Sequence, residues 1–292
     1  MDQIRVGLSV NEKRDKDLLV TQKVIDSIRK YAMVPLLTKP IAAMLDLSGG
    51  VEEAELYELS DFVVSLGGDG TLLNAARSLY RHDVPVFGIN LGTVGFLAEV
   101  EINDIDNAFM RLSKGDYSLV TRMVLSACVN RNENCVFEGI ALNDVVVSRG
   151  GLSRIIRLKV YVDDQFIDSF PGDGVIVSTP TGSTAYTLSA GGPIVQPDMQ
   201  MMITTPICPH ILYSRSFITS PDRTLRICIN DDYPDSAIIT LDGQEGFGVV
   251  AGDTITIRCM DKGMQFVTIY QLNFYDVLRA KIHGRGLESS QS

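Results

Sequence analysis

Leu66-Gly67-Gly68-Asp69-Gly70-Thr71 decides how this chain is read. Before it runs Asp61-Phe62-Val63-Val64-Ser65, mostly apolar with β-branched and aromatic side chains, the composition of a buried strand. After it runs Leu72-Leu73-Asn74-Ala75-Ala76-Arg77-Ser78-Leu79, a helical pattern. The glycines therefore fall at a strand-to-helix turn, on the carboxyl edge of a parallel sheet, where open α/β folds bind ligands. Residues without a Cβ permit unusual backbone angles and let amide N–H groups approach a phosphate. The helix that follows turns its positive end toward the same anion. Asp69 is the odd member. A carboxylate among phosphate-binding amides repels phosphate, so it serves a different purpose. It can accept a hydroxyl proton, hold a cation, or more plainly cap the helix.

Outward from this turn, strands and helices alternate. Residues 4–10 read as a first strand, 15–31 as a helix, 34–37 as a short strand that Pro35 places near an edge, and 42–59 as helical or irregular. Residues 84–89 form another strand and lead into a second loop, Asn90-Leu91-Gly92-Thr93-Val94-Gly95-Phe96-Leu97. Gly115 terminates a helix over 105–114. The alternation predicts a Rossmann-like, doubly wound α/β domain over residues 1–116. From Tyr117 the texture changes to short alternating runs at 119–129, 136–147, 155–162, 175–178, 223–229, 237–241, 254–259 and 266–269. Turn signals separate them, which predicts a mainly-β domain over 117–270. Residues 271–292 make a terminal helix, amphipathic over 272–283 and ended by Gly284, plus a polar tail. This segment is expected to pack back on the first domain.

Composition narrows the function classes. The chain has 292 residues, 45% hydrophobic and 21% charged, which are globular values. A net charge of −10 argues against nucleic-acid partners and anionic membranes, both of which need a basic face. A polyanionic substrate must then be met locally, by amides, a few Arg or Lys, and a divalent cation. The N-terminus lacks the apolar core of a signal peptide, and no apolar run approaches the ~20 residues of a membrane span, so a cytoplasmic protein is expected. Five scattered cysteines without a CxxC spacing read as reduced thiols rather than a zinc site or a disulfide frame.

Three further stretches carry polar chemistry. In Leu142-Asn143-Asp144-Val145, an amide and a carboxylate interrupt an apolar strand pattern; together they can read a ribose, or they mark a bulge. Ser178-Thr179-Pro180-Thr181-Gly182-Ser183-Thr184-Ala185-Tyr186 follows a strand and opens a short helix. Its small hydroxyl residues expose backbone and offer donors to phosphate or base edges, and Tyr186 can stack on a base. Leu241-Asp242-Gly243-Gln244 reads first as a hairpin turn. Walker, G-x-G-x-x-G, G-x-S-x-G and H-E-x-x-H patterns are all absent.

In this order, Gly67-Gly68-Asp69-Gly70-Thr71, Leu142-Asn143-Asp144, the Asp173-Gly174 to Gly192-Pro193 stretch, Cys208-Pro209-His210 and Leu241-Asp242-Gly243-Gln244 resemble the NAD kinase family. The glycine–aspartate motif is shared with lipid kinases and phosphofructokinases; the Ser-Thr-Pro-Thr-Gly-Ser-Thr-Ala-Tyr run is far more specific. The resemblance implies phosphoryl transfer from ATP, or polyphosphate, to the adenosine-ribose 2′-hydroxyl of NAD, giving NADP. It implies an α/β domain followed by a β domain in a homo-oligomer, tetramer or dimer. It implies a divalent cation such as Mg2+, with no metal ligands assigned. Asp69 becomes the general base. Gly67, Gly68 and Gly70 line the phosphate path, Thr71 and Asn74 are further cofactor-binding positions, and Phe96 packs on a base. Asn143 and Asp144 hold the ribose and adenine end. Asp173, Thr184, Ala185, Tyr186, Thr187, Leu188 and Ser189 line the dinucleotide pocket. Arg154 neutralises phosphate, and Gln244 closes the site. Two positions depart from the family pattern: Asp144 stands where Glu is usual, and Pro171 where a basic residue is frequent. The rival readings are a lipid kinase of the diacylglycerol or sphingosine type, and a non-catalytic dinucleotide sensor.

Overall fold

The computed structural model describes residues 3–92, 95–150, 155–211, 213–230, 237–270 and 273–288, with side chains through Lys281 in the last stretch. The chain divides into two compact units, one built from residues up to 120 together with those from 265 onward, the other from residues 121–264.

The first unit alternates strand and helix. Its elements are β1 (Arg5–Val10), α1 (Leu19–Lys30), β2 (Val34–Leu36), α2 (Lys39–Met44), α3 (Glu53–Leu59), β3 (Phe62–Gly67), α4 (Asp69–Leu79), β4 (Val86–Asn90), β5 (Val100–Glu101), α5 (Ile105–Ser113) and β6 (Ser118–Arg122). The sheet runs β2-β1-β3-β4, parallel throughout, with Pro35 on the edge strand as expected. Val63, Val64 and Leu66 of β3 are fully buried, as parallel strands covered on both faces require. α4 buries Leu72, Leu73, Ala75, Ala76 and Leu79; each large apolar side chain so buried contributes about 1.5–3 kcal/mol. The α1 start is capped from a distance. Leu18 occupies the cap with φ 51° and offers no side-chain bond, while the Asp15 carboxylate accepts the N–H of Val20 at 3.2 Å and of Thr21 at 2.8 Å. Gly115, at φ +71°, closes α5.

The second unit carries β7 (Leu125–Arg131), β8 (Asn134–Ala141), β9 (Asp144–Arg149), β10 (Ile156–Val162), β11 (Gln165–Gly172), β12 (Gly174–Ser178), the short α6 (Tyr186–Ser189), β13 (Met202–Ile207), β14 (Phe217–Thr219), β15 (Leu225–Ile229), β16 (Ala237–Leu241), β17 (Glu245–Val249) and β18 (Thr254–Cys259). They form two six-stranded sheets, β11-β10-β15-β18-β7-β8 and β14-β13-β12-β9-β16-β17, antiparallel throughout. One core joins their inner faces: Leu125, Leu158, Ile227 and Ile255 from the first sheet, Val145, Val175 and Ile239 from the second. This is a sheet-on-sheet sandwich.

Five expectations are corrected. The run over 119–129 is two strands, β6 and β7, in different sheets; the chain switches at buried Met123-Val124, where no Gly or Pro marks the break. Likewise 136–147 splits into β8 and β9. β19 (Met264–Thr268), which alternates like its predecessors, joins the first unit's sheet beside β4. The final helix, α7 (Phe274–Glu288), runs through Gly284; a helical glycine costs only ~1 kcal/mol and does not by itself stop a helix. Cysteines also differ from expectation. Cys128 on β7 and Cys135 on β8 are disulfide-bonded, their Cα atoms 6.1 Å apart across the hairpin, while Cys208, Cys228 and Cys259 are free. A spacing count misses this pair because facing strands, rather than a short motif, bring it together.

Candidate active site

In the first unit the candidate residues gather where β3 ends and α4 begins. Gly67 pairs in register with Asn90 of β4, and Gly68 is the α4 cap with φ −123° and ψ −172°. Neither these nor Gly70 lies in the left-handed region, so the expectation of unusual backbone angles is corrected: here glycine supplies space. A Cβ on Gly67 would strike the Thr71 side chain. Thr71 in turn accepts a hydrogen bond from Asn11 Nδ2 at 2.9 Å, and the Asn11 N–H donates to the Leu66 carbonyl at 3.0 Å, tying the loop after β1 to the glycine turn. Asn74 lies exposed farther along α4.

Asp69, half-buried, is the first residue of α4 and makes no cap bond to its own helix. Its Oδ2 accepts the Phe96 N–H at 2.8 Å, and its Oδ1 accepts those of Leu97 at 3.3 Å and Ala98 at 3.2 Å. A Cβ on Gly95 would overlap this carboxylate, so the second loop closes on Asp69 only with glycine there. The two glycine loops are thus one structure, pinned by one side chain. Each carboxylate oxygen has two acceptor directions. Oδ2 uses one on Phe96 and has one left. The Phe96 ring meets α7: it lies 6.4 Å from the Phe274 ring and 5.6 Å from Lys281 Nζ.

A cavity of about 260 Å³ lies at the β1 end of the same sheet, lined in part by Ser9, Val10, Glu12, Ile41, Glu53 and Tyr57. The Tyr57 hydroxyl donates to Glu53 Oε1 at 2.5 Å, and burial holds its phenol above the usual range. Residues 67–71 do not line it.

In the second unit the other stretches converge on one sheet end. Thr179 Oγ1–H donates to the Leu142 carbonyl at 2.5 Å, the Thr179 N–H to the Asn143 carbonyl at 2.9 Å, and the Gly182 N–H to Thr179 Oγ1 at 3.1 Å. Gly182 has no alternative, because a Cβ there would collide with the Asn143 carbonyl. The Ser183 hydroxyl donates to the Val195 carbonyl at 3.1 Å, anchoring the far side of the loop. Asp242 completes the knot. With Gly243 it forms the expected hairpin turn, both at positive φ, between β16 and β17. Its carboxylate accepts the N–H groups of Leu142 at 3.1 Å, Asn143 at 2.7 Å and Asp144 at 3.2 Å. Asp144 is 4% exposed; burial first, then the Asp242 charge, pushes its carboxyl up to about 7.

Along the loop, Tyr186 and Ser189 are exposed, Thr184, Ala185 and Leu188 half-buried, and Gln244 is exposed on its hairpin. Thr187 is fully buried, and its hydroxyl has no protein partner among the described residues. Asp173 is held by Arg149, whose Nε donates to its Oδ1 at 2.8 Å. Arg154 lies outside the described residues. Asn11 and Arg149 carry geometry that motif reading passed over, and Thr179 and Asp242, inside quoted motifs, were given no role at the site. Asn11 was accessible: it directly follows the first strand, at the same carboxyl edge as the glycine turn. Among the described residues no three His, Cys, Asp or Glu side chains converge to hold a metal ion.

A glycine–carboxylate turn on a parallel sheet, in a chain that also carries a β sandwich with a small-hydroxyl loop, defines a phosphotransferase with an alcohol acceptor. Residues 22–117 match the profile of the ATP-NAD kinase N-terminal domain, and residues 142–269 that of the ATP-NAD kinase C-terminal domain. The chain is 46% identical over 284 residues to an NAD kinase of Acetivibrio thermocellus, covering 97% of this chain and 98% of the relative. It is 42% identical over 282 residues to one of Caldanaerobacter subterraneus subsp. tengcongensis, covering 96% and 99%. Its fold is similar to yeast NADH kinase complexed with NADH (TM-score 0.85, 24% identity, 96% of this chain and 86% of that one). An NAD kinase from Archaeoglobus fulgidus in complex with ATP also shares the fold (TM-score 0.74, 23% identity, 97% and 99%). This chain belongs to the NAD kinase family.

Proposed function

We propose that the protein transfers the terminal phosphoryl group of ATP to the adenosine-ribose 2′-hydroxyl of NAD, giving NADP. Asp69 is the observation that carries this reading: a carboxylate at the glycine turn, fixed by three amides with one acceptor direction of Oδ2 left. In that direction it takes the hydroxyl proton as the oxygen attacks phosphorus, a step typically worth ~10²–10⁴ in rate. Phosphoryl transfer asks for little other covalent work; holding donor and acceptor in line and stabilising the spreading charge do the rest. Gly67, Gly68, Gly70 and Thr71 keep the first unit open to the donor phosphates. Asn143 and Asp144 take the ribose and adenine end of the dinucleotide, and the residues from Thr184 to Ser189, with Asp173, Arg154 and Gln244, form its surroundings. The Asp144 carboxyl, one methylene shorter than Glu, is pushed up to about 7, so near neutral pH it can donate as well as accept.

A divalent cation, Mg2+ in the ordinary case, would neutralise the charge of the donor phosphates. We further propose a cytoplasmic homo-oligomer, a dimer or tetramer. No helix among the described residues is long and apolar enough to cross a membrane. The test is purified protein with ATP, Mg2+ and NAD, NADP being read by a coupled dehydrogenase, with NADH and polyphosphate as further arms. NADP formation supports the reading. Binding of NAD without turnover under any donor would leave the sensor reading in its place.

A further inference from the structure

The loop between β1 and α1 is fastened at both ends. Asn11 binds Leu66 and Thr71 of the glycine turn on one side, and on the other Asp15 accepts the first amides of α1. Between them the Arg14 N–H closes a turn on the Asn11 carbonyl at 2.9 Å. Fastened this way, the loop sets the Arg14 guanidinium against the glycines of both loops. A Cβ built on Gly68 would lie 2.9 Å from Arg14 Nη1, and one on Gly92 3.4 Å from the same atom. Arg14 has no carboxylate partner among the described residues, in a chain whose net charge is −10. An arginine left without a carboxylate there is poised for an anion from outside. Beside it, Asn90 is 4% exposed, and its Oδ1 accepts the Gly92 N–H at 3.0 Å. Its NH2 group, on the residue in register with Gly67, has no protein partner among the described residues. A buried donor of this kind calls for an acceptor.

From this arrangement we infer that Arg14 binds the phosphate chain of the phosphoryl donor at the glycine turn, with the Asn90 amide as a second donor group. The inference deepens the kinase reading and rests on it for the identity of the donor. Arg14 brings a full positive charge to the phosphates in a chain that is acidic as a whole. Its planar fork matches two phosphate oxygens at once, which an ammonium cannot do. A Cβ at Gly68 would press on the guanidinium and displace it, whereas one at Gly92 would only touch it.

The test uses the full chain with Arg14→Gln and Arg14→Lys. Loss of a charge-assisted contact predicts a KM for ATP raised on the order of ten- to a hundredfold in Arg14→Gln. KM for NAD and the melting temperature should stay near wild type, and Arg14→Lys should recover part of the loss. Calorimetric titration with inorganic tripolyphosphate needs no turnover: wild type should bind it, and Arg14→Gln should bind it more weakly by a similar factor. Unchanged ATP KM and unchanged tripolyphosphate binding in Arg14→Gln would overturn the assignment. So would a variant that loses affinity for ATP and NAD alike while melting earlier. A wild-type protein that makes no NADP would instead overturn the kinase reading, and the tripolyphosphate titration would still judge Arg14.

Discussion

Asp144 sits 4% exposed beside the Asp242 carboxylate, and its carboxyl holds its proton up to about 7 against an ordinary value of 3.8. The folded state therefore binds this proton more tightly than the unfolded chain. The resulting stabilisation is full below about 4 and is lost as pH rises through about 7. Replacing Asp144 with Asn removes the titration. The melting temperature of Asp144→Asn relative to wild type should rise between pH 4 and 8 and level off above that; a difference that ignores pH would contradict the burial argument. Motif reading found Asp144 by its place in Leu142-Asn143-Asp144, yet its protonation was not legible. That property comes first from burial in the folded sheet end and then from Asp242, about a hundred positions away, whose carboxylate binds the amides of residues 142–144. Asp69 gives the same lesson. The sequence marks it as the odd carboxylate of a glycine turn, but its three amide partners lie in the second glycine loop, and no spacing rule links the two.

Thr179 shows how one hydroxyl joins two elements. Fully buried, it donates to the Leu142 carbonyl at the end of one strand connection and accepts the Gly182 amide of the small-residue loop. Thr179→Val keeps the shape and leaves both partners unpaired, which should cost on the order of 2–4 kcal/mol of stability. Denaturant unfolding measures this, and NAD affinity should fall with it because the loop loses its side-chain tie to Leu142. A loss under ~0.5 kcal/mol, the size of an ordinary surface substitution, would mean the knot is not holding the loop. Elements with clear periodicity were legible: β1, β3, α4, β4 and α5 fall within a few residues of their expected ranges. Those missed have physical reasons. β13 is buried along its whole length and holds Thr204, Thr205 and Pro206, so it shows no alternation, and β17 carries two glycines in five residues. β19 alternates like the sandwich strands but pairs with β4, because only the tertiary fold selects its sheet.

The two units bury separate cores. The sandwich core holds residues between Met123 and Ile257 alone, and the α/β core draws on Val6 to Leu112 with Val267 and Ile269. The second unit is also one continuous stretch of chain, inserted between the two segments of the first. Residues 121–264 expressed alone should therefore fold, giving a cooperative melt and dispersed amide resonances; a non-cooperative melt would show that this core is insufficient. Within the first unit, the proposed role of Asp69 is that of the base. Asp69→Asn in the full-length protein puts this to the test, read as the single-turnover rate of NADP formation alongside the NAD dissociation constant. The change retains one oxygen for the second glycine loop and removes the proton acceptor. The predicted result is a rate lower by ~10²–10⁴ with NAD affinity within a few-fold of wild type. A rate within a few-fold of wild type would contradict the assignment of Asp69 as the base.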